Sequence, residues 1–458
     1  MSRQFESAWC KHATAARPYP ASSVVEDGAM TPFENVPVGR FHRRLVISAG
    51  SGQFSDGFSI GIIAIALSLA KEPLGLSGWW MGALGASTLF GLFFGSLIAG
   101  SITDRYGRRP MFNWGMLLFT IIAVMQYLSP SAQVLFAARF LLGVILACDY
   151  VACKAMVTEY SPSRNRGVNL SILALSWTSG YLCSFIAGYV VRSGGPEAWR
   201  LALLASAAPS FIAFLLRCRI PESPLWLAHK GRMEEARGVV SKYIGPGISL
   251  PAVDQFHVVV SQSAARLFKP PLLKNLVVGC VFYASQVIPL FALGTYLPIV
   301  MANLGLGDGY TGALVYNILF WLGALIGPFI IDRMPRRKLL VGGFVVMATL
   351  LAILIGWRAA PALVTVSLFA AFAFVLSVAG ILQFVYPPEL FPTELRARGL
   401  GATLAFSRFG TASSTFVLPA VVEGYGVSAA LGFCMVVMIF AAVVCYAWAP
   451  ETLRKPLE

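Results

Sequence analysis

At 458 residues, with 57% hydrophobic and only 12% charged side chains and a mean hydropathy of +0.72, the chain is too apolar for a soluble protein. A soluble chain of this length would carry about twice that charge. The formal net charge of +14 would suit nucleic acid if it were clustered, but the Lys and Arg residues fall between hydrophobic runs, about 28 of the 35 on one side, about four on the other and about three within the runs. That placement excludes a nucleic-acid partner and indicates a polytopic membrane protein with both termini on the cytoplasmic side.

Residues 1–40 are polar, contain Pro18, Pro20, Pro32 and Pro37, and show no apolar periodicity; a flexible cytoplasmic tail is expected. No signal peptide is expected, because the first apolar run begins near Leu45 and continues as a full span, with Arg43 and Arg44 as its cytoplasmic anchor. Twelve spans follow, near 44–70, 78–102, 111–129, 133–158, 167–192, 199–217, 275–303, 309–331, 339–357, 362–387, 397–421 and 426–448. They divide into a first bundle over 41–218, a linker over 219–274 whose polar run Gly231–Arg237 suits a short helix, a second bundle over 275–449 and a tail over 450–458. Trp79, Trp80 and Trp448 sit at span ends as interface anchors. The eight cysteines contain no CxxC pair, and the four histidines lie outside the spans. Disulfides, zinc and organic cofactors are therefore not expected, and any proton carried through the membrane must ride on carboxylates.

The second and third spans are joined by Gly100-Ser101-Ile102-Thr103-Asp104-Arg105-Tyr106-Gly107-Arg108-Arg109. Three features recur at a shift of about 229 residues, half the chain. Asp104-Arg105-Tyr106-Gly107-Arg108-Arg109 is echoed by Asp332-Arg333-Met334-Pro335-Arg336-Arg337. Glu159-Tyr160-Ser161-Pro162 before Arg166 is echoed by Glu389-Leu390-Phe391-Pro392 before Arg396. Pro221-Glu222-Ser223 is echoed by Pro450-Glu451-Thr452. In the second copy Pro335 replaces the loop glycine and Pro328 stands where Gly100 does, so a weaker latch is expected there.

The pattern Gly-x-x-x-Asp-Arg-x-Gly-Arg-Arg resembles the signature loop of the major facilitator superfamily, and every position matches. The resemblance implies an all-α membrane protein of 12 transmembrane helices, in two parallel six-helix repeats around a central cavity. Pro221-Glu222-Ser223-Pro224-Leu225-Trp226-Leu227 and Arg139-Phe140-Leu141-Leu142-Gly143 resemble sugar-porter signatures, with Leu225 where arginine is usual. Asp56-Gly57-Phe58-Ser59 resembles the metabolite/proton symporters, with Ser59 in place of their second acid. Over nearly its whole length the chain is similar to bacterial inner-membrane metabolite transporters. By resemblance, Asp104, Arg105, Gly107, Arg108, Arg109, Glu159, Arg166 and Glu222, with Asp332, Arg336, Glu389 and Arg396, form gating clusters that stabilise an outward-facing state; a monomer is also implied.

An ionisable side chain inside a span costs about 3 kcal/mol unless it is paired or hydrated. Asp56 lies midway along the first span, near Gly50, Gly52, Gly57 and Gly61; Arg139, Asp149 and Lys154 lie in the fourth and Arg408 in the eleventh. By resemblance to proton-coupled porters, Asp56 is the proton carrier and Arg139 its partner, although a static pair pinning two helices would use the same residues. Asp149, ten residues beyond Arg139 and about 80° around the helix, is a second proton site or else the counter-ion of Lys154. Lys154 and Arg408, one in each half, suit an anionic substrate, since arginine holds a carboxylate through two hydrogen bonds and lysine adds a point charge. Snorkelling of both to water is the competing reading. Trp177, Gln286, Tyr296, Asn317, Trp321 and Gln383 complete the expected substrate site, though each also suits a helix-packing hydrogen bond.

These features lead to a secondary active transporter, expected to carry a small organic anion by proton symport, with the proton as coupling ion and the lipid bilayer as its surroundings. A neutral sugar or polyol carrier of the same fold is the alternative. A membrane receptor or membrane enzyme is remote, because no phosphate-cradling loop, metal cluster or appended soluble domain is present in the sequence.

Overall fold

The structure, a computed structural model, describes residues 31–33, 36–162, 165–250, 264–270, 272–305, 307, 309–331, 333–357, 360–392 and 395–452. The first six spans are α1 (Arg40–Ala70), α2 (Gly78–Tyr106), α3 (Arg108–Tyr127), α4 (Ala132–Tyr160), α5 (Arg166–Val191) and the broken pair α6 (Ala198–Leu204) and α7 (Ala207–Arg217). Short helices α8 (Pro224–His229) and α9 (Met233–Tyr243) occupy the linker. The second six are α10 (Leu272–Thr295) continued by α11 (Leu297–Asn303), α12 (Tyr310–Ile331), α13 (Arg336–Gly356), α14 (Ala362–Gly380) continued by α15 (Leu382–Glu389), α16 (Arg396–Tyr425) and α17 (Val427–Trp448). Two residues of the N-terminal segment, β1 (Thr31–Pro32), pair in parallel with β2 (Ile248–Ser249) of the linker.

Among the described residues eleven helices are long and apolar enough to cross a membrane. The twelfth, α16, is 30 residues long and carries Arg396, Arg398, Arg408 and Glu423, which lower its hydropathy. Three spans are broken where continuous helices were expected. The helix stops at Ala205 and Ser206, where the Ser206 hydroxyl bonds back to the Leu203 carbonyl at 2.7 Å. It restarts after Tyr296, because Pro298 brings no N–H and suits the first turn of a new helix. The third break falls at Ile381. The second span extends four residues beyond its expected end, so Asp104 and Arg105 stand on the last turn of α2 rather than in a loop.

The two halves pack alike. The first span pairs with the fifth (α1 on α5) and the seventh with the eleventh (α10 on α16); the second pairs with the fourth and the eighth with the tenth; the third pairs with the sixth and the ninth with the twelfth. The halves meet through α2 on α16 and α5 on α12. This arrangement puts α1 and α10 at the centre, with 83% of their apolar stretch buried, against 33% for α12 and α13. Val436, Phe440 and Val443 on α17 are exposed, as a lipid-facing surface requires.

Candidate functional site

At the end of the bundle carrying the α2–α3 loop, the sequence motif becomes a latch. Gly107 sits at φ 107, a conformation closed to side chains, and a methyl there would overlap the Glu222 carboxylate. Glu222 accepts the backbone N–H groups of Arg108 at 3.1 Å, Arg109 at 3.1 Å and its neighbour Ser223 at 2.9 Å. Burial pushes its carboxyl up from the ordinary glutamate value, against those N–H groups and Arg108, which pull it back. Arg108 pairs with Asp104 at 2.8 Å and Glu159 at 3.2 Å, Ser223 donates its hydroxyl to Glu159, and Trp226 donates to the Asp104 carbonyl at 3.0 Å. The second half repeats the device: Glu451 accepts from the N–H groups of Arg336 and Arg337 at 2.9 and 3.1 Å, Arg336 faces Glu389 at 3.7 Å, and Thr452 donates to Glu389.

Two expected members stand apart from this network. Arg105 lies over the Tyr106 ring at 5.5 Å, and Arg166 leaves its Nε without a hydrogen-bond partner among the described residues. Asp332 lies outside the described residues, as does the side chain of Arg396. Both clusters are internal to their own half.

Deeper in the first half lies a second cluster. Asp149 and Arg217 are fully buried and joined by two bonds, Nη1 to Oδ1 and Nη2 to Oδ2, the latter at 3.3 Å. Arg217 also donates Nε to the Ser48 carbonyl at 3.1 Å and Nη1 to the Phe112 carbonyl at 2.7 Å, and lies 4.0 Å from the Phe112 ring centre. It can enter because Gly52 has no side chain: a methyl there would overlap the guanidinium. Asp56, also fully buried, lies within hydrogen-bond reach of Asp149 and accepts from Gln53 at 2.9 Å through Oδ2, while Oδ1 has no N–H or hydroxyl donor among the described residues.

The expected pairing of Asp56 with Arg139 is not made. Arg139 lies about 15 Å along α4 from Asp149 and donates to Gln126 at 3.1 Å, so it belongs to the other end of the helix. The cation that Asp149 holds by both oxygens is Arg217 of the sixth span, where Lys154 on its own helix was expected. Arg217 gave no signal in the sequence beyond closing an apolar run, where a charge reads as a water-interface anchor. The spacing of Gly52 four residues before Asp56 was the available hint, since such positions share a helix face.

Between the halves, Lys154 is exposed and lies 5.6 Å over the Tyr150 ring, while the Tyr150 hydroxyl accepts from Trp177 at 2.7 Å. Arg408 of the other half comes within electrostatic reach of both Tyr150 and Lys154. It is twelve residues, about 18 Å, from the start of its helix, too deep for a side chain that snorkels from the membrane surface. Tyr150, joining this group to Asp56 and Asp149, is a second residue that periodicity alone did not single out.

The remaining candidates separate into two groups. Gln286 is buried with both amide atoms lacking partners among the described residues, and Asn317 donates to the Ala313 carbonyl at 2.8 Å with Oδ1 unpartnered. Gln383 is half-buried. Tyr296 and Trp321 instead tie the halves together: Tyr296, at the end opposite the latches, donates to the carbonyls of Met81 and Thr415 at 2.9 and 3.1 Å, and Trp321, midway along α12, donates to Ser179, midway along α5, at 2.8 Å. Ser68 and Tyr310 add a hydroxyl pair at 3.0 Å. Tyr296 is therefore a closure residue in this arrangement, not a cavity wall.

The profile of a family described as "Sugar (and other) transporter" matches residues 45–458. The inner membrane metabolite transport protein YgcS of Escherichia coli (strain K12) is 34% identical over 425 residues, covering 93% of this chain and 95% of that protein. The arabinose-proton symporter of Bacillus subtilis (strain 168) is 30% identical over 449 residues, covering 93% and 96%. A partially occluded inward open conformation of the xylose transporter XylE from E. coli matches with a TM-score of 0.77 at 20% identity, over 92% of this chain and 100% of that one, a likeness of fold. With the paired six-helix halves and the loop motif built as a latch, these matches establish that the chain belongs to the sugar (and other) transporter family: it is a multi-pass membrane transport protein and not an enzyme.

Proposed function

We propose that the protein is a proton-coupled carrier that takes a small organic anion across a bacterial inner membrane by alternating access, as a monomer. The observation that carries this reading is that Lys154 and Arg408, one from each half, lie within electrostatic reach of one another and of Tyr150, which Trp177 bonds. Two cations held in reach of one another repel, and an anion between them offsets that repulsion. A carboxylate would take two hydrogen bonds from Arg408 and a point charge from Lys154. Asp56 and Asp149 are the acids within reach of this group, and a proton on one of them would couple the gradient to the cargo. With the Lys- and Arg-rich latch end in the cytoplasm, the bonds of Tyr296 and Tyr310 close the outer end, and Lys154 faces inward.

A neutral sugar is the second reading, favoured by the amide of Gln286 and the Oδ1 of Asn317, which have no hydrogen-bond partner among the described residues and suit hydroxyls. The names of the arabinose-proton symporter and of XylE lend it weight. Uptake into proteoliposomes, with and without an inward proton gradient, separates the two across sugar acids, other carboxylates and neutral sugars. The expected result is gradient-driven accumulation of an acid, lost in Asp56→Asn and weakened in Arg408→Ala. Uptake of neutral sugars alone, indifferent to Arg408→Ala, would overturn the anion reading.

A further inference from the structure

The buried cluster of the first half contains two carboxylates and one guanidinium. Asp149 holds that guanidinium by both oxygens, yet the two hands are unequally secured: Nη1 is also anchored on the Phe112 carbonyl and Nε on the Ser48 carbonyl, while among the described residues Nη2 has Asp149 Oδ2 alone, at 3.3 Å. Nη2 is also the atom nearest Gly52, over which it lies with no side chain between. Gly52 stands four residues before Asp56, hence on the same face of α1 and one turn away, about 5.4 Å. Asp56 Oδ1 is buried and has no N–H or hydroxyl donor among the described residues, while the Asp56 carboxyl lies within hydrogen-bond reach of that of Asp149. An oxygen without a donor thus lies one helical turn from the least secured donor of the cluster.

We infer that Arg217 is a counter-ion shared by both acids, and that its Nη2 turns from Asp149 to Asp56 when Asp56 gives up its proton. The inference rests on the proton-coupled reading above. In the loaded form two carboxyls, one proton and one guanidinium sum to zero charge. On release the O–H bond of Asp56 breaks and the proton passes to water between the halves; the remaining carboxylate takes the Nη2–H bond that Asp149 Oδ2 gives up, while Nη1 and Nε keep their anchors. A buried carboxylate left without such a bond would cost several kcal/mol, so the handover makes release possible inside the protein. The other groups that face Asp56 are Asp149, Tyr150, Cys153 and Lys154 on α4, with neutral Gln53 on its own helix; Arg408 reaches the cluster through Lys154 and Tyr150. Arg217 acts here as a positioning residue whose motion is confined to one hand of its guanidinium.

The test needs no identified cargo. Infrared difference spectra of the full chain in lipid nanodiscs, taken over a pH series, report the carbonyl stretch of a protonated carboxyl. At the highest pH at which wild type keeps this band, Asp56→Asn should abolish it. Asp149→Asn should abolish it as well, because Arg217 is then given over to Asp56. The double variant Asp149→Asn/Arg217→Gln, whose paired amides can still hydrogen-bond, should restore it, and Asp149→Asn/Arg217→Lys should not. A double variant that stays without the band, or an Asp149→Asn protein that keeps it, would overturn the shared counter-ion. If Asp56→Asn leaves the band in place, Asp56 is not the carrier, and that assignment falls together with the inference. Gradient-driven uptake lost in Asp56→Asn alongside a band indifferent to Arg217 would sink the inference and spare the proton-coupled reading.

Discussion

Replacing Gly107 by alanine tests the latch at its narrowest point. The backbone there, at φ 107 and ψ 162, belongs to a region that is essentially restricted to glycine, and a residue with a Cβ costs about 1–3 kcal/mol to hold in it. The new methyl would also occupy the place of the Glu222 carboxylate, whose bonds to the N–H groups of Arg108 and Arg109 measure 3.1 Å. Losing one such charge-assisted bond costs about 1.5–3 kcal/mol. The sum is about 2.5–6 kcal/mol of local stability, or at its lower end roughly a seventyfold increase in opening of the latch. Hydrogen exchange followed by mass spectrometry on the peptide containing Arg108 and Arg109 reads this directly. The matching change in the second half, Pro335→Gly, meets a residue at φ −54 with no such constraint and should cost only about 0.4–1 kcal/mol through the freedom of the unfolded chain. Exchange in Gly107→Ala within threefold of wild type would refute the claim that Glu222 holds this loop through its amides.

Two further outcomes follow from contacts already described. Glu222 binds its proton more tightly in the folded latch than in a free chain, so its contribution to stability is fully present below the ordinary value of 4.5 and is lost as the pH rises through the raised value. Relative to Glu222→Gln, wild-type thermal stability should therefore decline from pH 4.5 toward neutrality, and a rise over that window would contradict the burial argument. Tyr296→Phe removes a hydroxyl shared between the Met81 and Thr415 carbonyls, a loss of about 1 kcal/mol that should raise the population opened at that end about fivefold. Spin-label distances between the start of α2 and the end of α16 would show it, and an unchanged distribution would remove Tyr296 from the closure.

Much of the fold was legible because membrane spans and their repeat are written in hydropathy and charge. Twelve apolar runs and three echoed motifs suffice to order the helices, and the pairing within one half recurs in the other. The breaks at Ser206, Tyr296 and Ile381 were not legible, since apolar runs continue across them. Asp56, Asp149, Lys154 and Arg408 announced themselves as charges in costly places. Their partners did not, because pairing depends on depth and rotation between helices rather than on distance along the chain. Resemblance directed Arg139 toward Asp56, yet the fourth helix carries it to the far end, beside Gln126. Arg217, at the last position of its helix, looked like a boundary residue until the packing of α7 on α1 and α3 drew it inside.

What Glu222 and Glu451 grip is main chain, the amides at Arg108, Arg109, Arg336 and Arg337. The same four residues thus serve at two moments in the life of the protein through different parts of themselves. On the proposed orientation, with this end in the cytoplasm, their side-chain charge keeps each loop from being drawn across the bilayer during synthesis. Once the helices have assembled, the peptide groups of those residues fasten the end of each six-helix half to the junction of its second and third spans. A substitution such as Arg109→Gln would separate the two duties, disturbing insertion while leaving the finished latch its donor.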